Sequence, residues 1–115
     1  MNQGIAAHKA GADVTMVTKL GRDDLAQIAL KSFKSAGMKI DYVFFDDEHE
    51  TGAALIMVEN GTAENEIVVS IGACNFITDD EVESVRKEIK NSKLLLTQLG
   101  TNLSAVYKAI DIANK

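Results

Sequence analysis

Residues 51–72 read TGAALIMVENGTAENEIVVSIG. Two apolar runs, TGAALIMVEN (51–60) and NEIVVSIG (65–72), flank the segment ENGTAEN (59–65). That segment holds Asn60-Gly61, a pair that tolerates the positive φ angles of a tight hairpin turn. The spacing predicts an antiparallel hairpin over 53–72. DYVFFDD (41–47) has the same strand-like composition and is expected as a third strand beside it. Ile, Val, Leu and Met fall on both faces of this hairpin, so an exposed ribbon of this kind calls for a cover.

Outside residues 41–72 the apolar period switches to that of helices. Towards the C-terminus, Thr78 followed by Glu81 forms a capping box, with Ile77 and Val82 placed as a hydrophobic staple. Val82, Val85 and Ile89 then make the expected buried stripe. KLLLTQLG (93–100) reads as a buried strand and TNLSAVYKAIDIANK (101–115) as a last helix, with Leu103, Val106, Ile110 and Ala113 inward.

Towards the N-terminus, residues 23–36 are the clearest amphipathic helix. Leu25, Ile28, Ala29 and Phe33 fall on one stripe, and Asp23 and Asp24 sit at the positive end of its dipole. VTMVTKLG (14–21) reads as a short strand buried on both faces. Residues 2–10 form an alanine-rich helix with Ile5, Ala6 and Ala10 on one side, closed by Gly11.

The order is helix, strand, helix, three antiparallel strands, helix, strand, helix. Strands alternating with helices imply right-handed crossovers and a parallel sheet. The fold class expected is α/β: a partial, Rossmann-like parallel sheet with helices on both faces and an inserted antiparallel β lid at about 41–72. The chain is one partial domain over 1–115. Two parallel strands make a poor sheet alone, so flanking chain is expected beyond both ends.

Composition narrows the function classes. The 115 residues carry 17 acidic and 12 basic side chains, a formal charge of −5. Nucleic-acid binding needs a basic face, so none is expected. No apolar run approaches the length of a membrane span, and no signal peptide is visible at the N-terminus. The single cysteine, Cys74, excludes an internal disulfide and a multi-cysteine zinc site; a cytoplasmic setting is the default expectation.

The ordered set of motifs resembles the ribokinase-like (PfkB-type) family of carbohydrate kinases, ribokinase within it, over essentially the whole chain. The family's substrate segment Gly-Gly-Lys-Gly-Ala-Asn-Gln opens a helix; Asn2 and Gln3 match its end. GADVTMVTKLG resembles the next strand and its Gly-x-Asp turn, here Gly21 and Asp23, with Ala26 where a glycine is usual. TGAALIMV resembles the lid strand, ENEIVVSIGA the strand returning to the core, and KLLLTQLG the strand that ends in Gln-Leu-Glu in ribokinases.

The resemblance implies phosphorylation of a pentose or related sugar hydroxyl by ATP and Mg2+, with this piece supplying the lid and one wall of the sugar pocket. Asn2 matches the asparagine that hydrogen-bonds the sugar; its amide offers donors and acceptors to neighbouring hydroxyls, and a helix N-cap is its other reading. Ile56 and Val69 match lid positions that cover the sugar's apolar face, or else they are ordinary sheet core. Gly100 stands where ribokinases carry a sugar-binding glutamate, which removes an acceptor. A homodimer through strands in 41–72 is also implied.

Phosphoryl transfer needs a base, backbone donors for the moving phosphoryl group and Mg2+. Neither a Gly-x-x-x-x-Gly-Lys loop nor a Gly-Ala-Gly-Asp segment occurs. No catalytic, nucleotide or metal residue is therefore assigned, and the chain alone is expected to be inactive. A non-catalytic paralogue, acting as a dimerisation module or sugar sensor, is the alternative class. Cys74 is expected to be a small buried side chain and His8 a partly packed or solvent-facing one. The acidic run Asp46-Asp47-Glu48-His49-Glu50 is expected to be a solvated turn, and Asp79-Asp80-Glu81 to serve the helix dipole.

Overall fold

A computed structural model describes residues 1–115. Helix α1 (Asn2–Lys9) leads to a short strand β1 (Thr18–Leu20), helix α2 (Asp24–Ser35) and strand β2 (Val43–Phe45). Strands β3 (Thr51–Val58) and β4 (Asn65–Gly72) follow. A 3-10 turn (Ala73–Phe76) then leads to α3 (Asp79–Ser84), α4 (Arg86–Asn91) and α5 (Leu103–Ala113). No helix is long and apolar enough to cross a membrane.

The α/β expectation holds, with parallel and antiparallel sheets in one chain. β1 pairs with β2 in parallel, Thr18 opposite Val43 and Leu20 opposite Phe45. α2 is the crossover between them. Residues 41–47 therefore contribute a core strand and not a third strand of the hairpin. Their aromatic, β-branched composition suits either partner, and composition alone does not choose one.

The core around this pair consists of Leu20, Ala26, Ala29, Phe33, Met38 and Val43, with Ile5, Val14, Met16 and Leu30 against it. The buried stripe of α2 is thus Ala26, Ala29 and Phe33, while Leu25 and Ile28 are exposed. The expected stripe was rotated by one position, because small Ala26 lets the helix approach the strands where a leucine would hold it off. α1 buries no residue fully; Ala6 and Ala10 face out, and a Cβ added at Gly4 would meet the Met16 side chain. Gly11 takes the left-handed conformation expected of it, φ 96°.

A second core joins Ile77, Val82, Ala105 and Ile112. The capping box of α3 is formed as expected, but a break at Val85 separates α3 from α4. Val85 is itself fully buried, and Ile89 packs at the cluster's edge. In α5 the buried residues are Ala105, Val106 and Ile112; Leu103, Ile110 and Ala113 are exposed.

Residues 93–100 correct the sequence reading most. They form no strand, and Leu94 and Leu99 are 74 % and 76 % exposed. A parallel strand needs a neighbour to take its backbone groups, and β1 and β2 pair only with each other.

The hairpin is as expected, with Ala54 opposite Val69 and Ile56 opposite Ile67. Gly61 at φ 107° and Ala63 at φ 61° turn the chain. Residues 53–71 are all exposed. The ribbon projects from the rest, and the radius of gyration is 15.1 Å, against about 13 Å for a compact chain of this size.

Candidate functional site

The ribbon leaves the α/β base through a small polar root. Asp23 caps α2, its Oδ1 accepting from the Ala26 amide at 2.8 Å. Its other oxygen accepts from the Thr51 amide at 2.6 Å. The Thr51 hydroxyl accepts in turn from the Gly21 amide at 2.9 Å. These bonds to backbone donors, Thr51 first, hold the Asp23 carboxyl below the usual carboxylate range.

The chain needs glycine here for two reasons. A Cβ on Gly21 would run into the backbone of His49–Thr51. Gly72 has φ 57°, and a Cβ there would meet the Glu50 carbonyl and the Gly52 backbone. At both glycines backbone packs directly against backbone, beside the side-chain bonds of Asp23 and Thr51.

The acidic run before β3 is not simply solvated. Asp47, Glu48 and Glu50 are exposed, but Asp46 and His49 are partly buried. Asp46 Oδ1 accepts from the amides of Glu48 and His49, and pairs with His49 Nδ1, each at 2.9 Å. Led by the Glu48 amide, these partners push its carboxyl down to about 2. The His49 ring stacks on Phe76, 3.5 Å between centroids. Lys19 closes the network, donating to the Phe76 carbonyl at 2.9 Å and lying 3.1 Å from Glu81 and 3.5 Å from Asp46. The Cys74 thiol donates to the Lys19 carbonyl at 3.2 Å, in a partly buried packing role. His8 is partly packed, with Nδ1 lacking a partner.

The sequence singled out Asn2, Ile56, Val69 and Gly100. Ile56 and Val69 lie on one face of the ribbon, since each is paired across it with a residue of the other's strand, two positions apart. At 58 % and 63 % exposure they are not sheet core. Asn2 is the first residue of α1 and not its cap, which is Met1. Gly100 precedes α5, and the Gln98 side-chain amide occupies the space its own side chain would fill. Two surface hollows, of about 240 and 510 Å³, are lined by Thr15, Met16, Lys39, Asp41, Tyr42 and Glu88 and by the hairpin tip. None of the four singled-out residues lines either hollow. The strand pairing brings Ile56 and Val69 onto one face.

The root was missed by the sequence reading. Its signal was present: a lysine inside the apolar strand VTMVTKLG, where a lysine is hardly ever buried unless paired. Chemically the root holds and orients. No three His, Cys, Asp or Glu side chains meet as a metal site, and its one ammonium is engaged by carboxylates and a carbonyl. The root therefore offers no free cation to a phosphate, and no catalytic step follows from it.

A family model described as pfkB family carbohydrate kinase matches residues 1–114. The chain is 40 % identical over 114 residues to a bifunctional ribokinase/ribose-5-phosphate isomerase A of Fructilactobacillus sanfranciscensis, covering 99 % of this chain and 21 % of the relative. It is 35 % identical over 112 residues to a ribokinase of Staphylococcus aureus, covering 97 % and 36 %. The solved ribokinase of Giardia lamblia superposes with a TM-score of 0.85 over 98 % of this chain and 34 % of that one. At 22 % identity this is a likeness of fold. The chain thus spans little more than a third of these relatives' length at most.

Proposed function

The chain belongs to the pfkB family of carbohydrate kinases, and from that premise we propose that it is the lid-bearing part of an ATP-dependent, ribokinase-like sugar kinase. The reaction is transfer of a phosphoryl group from ATP, with Mg2+, to a hydroxyl of a pentose or related sugar. This piece gives the lid and one wall of the pocket; nucleotide, metal and base are held elsewhere in the enzyme. The setting is cytoplasmic.

The observation that carries this reading is the projecting ribbon rooted on Gly21, Asp23 and Thr51. A two-stranded ribbon standing alone in water is marginal. One with Ile56, Ile67, Val69 and Ile71 on a single face gains stability by closing over a ligand, which also excludes water from phosphoryl transfer. Ile56 and Val69 cover the sugar's apolar face, and the Asn2 amide, free of other side-chain bonds, takes its hydroxyls. Gly100 leaves one acceptor position to water. The opposite face, with Leu55, Met57 and Val68, pairs with a second copy, giving a homodimer through the ribbons.

The test is sugar-dependent ADP formation, with Mg-ATP and a panel of pentoses, by the protein isolated from its source and sized by intact mass. Phosphorylation of a pentose is expected. Thermal stabilisation by sugar without turnover would replace this reading with a sensor.

A further inference from the structure

Lys19 is 6 % exposed, and an ammonium is hardly ever buried to this extent unless it is paired. Its three donors meet three segments. Asp46 lies in the turn that enters β3. The Phe76 carbonyl lies in the 3-10 turn that leaves β4. Glu81 lies in α3. Asp46 fixes its own turn through two amides and the His49 ring, and that ring stacks on Phe76. Both ends of the ribbon therefore converge on one charge carried by β1.

We propose that Lys19 is a positioning residue that sets the angle of the ribbon over the α/β base, by tying its inbound turn at Asp46 to its outbound turn at Phe76 and Glu81. This rests on reading the ribbon as a lid. The physical reason is the charge count. The Asp46 and Glu81 side chains are only 11 % and 18 % exposed. Without the ammonium, two partly desolvated carboxylates face each other across an empty site and repel. Removing one partner of a desolvated ion pair costs far more than losing a surface pair. The strain falls on the two turns, while the apolar core around Phe33 stays packed by other contacts.

Hydrogen–deuterium exchange on the full chain separates local from global effects. In Lys19→Met, amides at Thr51–Ala54 and Val69–Ala73 are expected to exchange about tenfold faster, with Ala29–Phe33 of α2 changed by less than about twofold. Lys19→Arg, which keeps the charge, is expected to hold the ribbon near its original protection. Equal acceleration of ribbon and α2, or no acceleration, would overturn the proposal. Should Lys19→Met fail to fold, Asp46→Asn, Glu81→Gln and their double variant decide. Non-additive effects on ribbon exchange support a shared clamp, and additive ones refute it. No turnover is measured, so the outcome is independent of whether the kinase reading survives.

Discussion

The carboxylate of Asp23 accepts the amide hydrogen of Thr51 at 2.6 Å, so the residue that caps α2 is also the anchor of β3. Asp23→Ala is expected to release both, lowering the urea midpoint and speeding exchange at Thr51 and Ala26 together. Asp23→Asn, which loses the charge but keeps one acceptor oxygen, falls between, because bonds to an ionised acceptor are roughly twice as strong as neutral ones. A variant that loosens only the helix would show that the Thr51 bond is idle.

Acid should loosen the root before the cores. In the unfolded chain both Asp23 and Asp46 titrate near about 4. Folded, both are depressed, Asp46 to about 2. Between those values the unfolded state binds more protons, so this contribution is complete above about pH 4 and is lost as pH falls towards about 2. Asp46→Asn is expected to flatten that part of a stability-versus-pH curve measured by denaturant titration.

The corrected face of α2 is directly testable. Phe33 is fully buried, so Phe33→Ala should cost about 3–5 kcal/mol. Ile28 is exposed, so Ile28→Ala should change stability by less than about 0.5 kcal/mol. Equal costs would restore the stripe expected from the spacing.

Ala63 holds φ 61° in the hairpin turn, a conformation that costs a residue with a Cβ about 1 kcal/mol. Ala63→Gly should therefore raise stability by roughly 0.5 kcal/mol once glycine's extra chain entropy is subtracted. A drop in the denaturant midpoint would contradict it.

Gly100→Glu tests the departure from the ribokinase pattern. The clash is with the flexible end of Gln98, so the fold should tolerate it within about 0.5 kcal/mol. In the sugar-kinase reading, calorimetry on the whole enzyme should show tighter pentose binding, since a carboxylate accepts two hydroxyls at once. Unchanged affinity would remove Gly100 from the site.

The local code was legible where one residue type decides one geometry: Thr78 with Glu81, Gly11, and the Asn60-Gly61 turn. The hairpin's span was legible because two apolar runs bracket one turn. Pairing was not. Residues 41–47 and 93–100 are equally strand-like, yet one joins β1 and the other joins nothing, a choice made by spatial neighbours. The helix faces were off because Ala26 and Ala105 bury without adding to an apolar stripe. That Ile56 and Val69 share a face follows only once the register of the hairpin is known. The Lys19 root drew its partners from three separate segments, which no single window of sequence contains.

Two greasy surfaces, the ribbon and the stretch from Leu94 to Leu99, share a molecule whose net charge is −5. At neutral pH mutual repulsion opposes clustering beyond a specific pair. Mild acid neutralises that repulsion while leaving the adhesive surfaces intact, so the polypeptide should cloud reversibly well before it denatures, and brighten again on adding salt-free base.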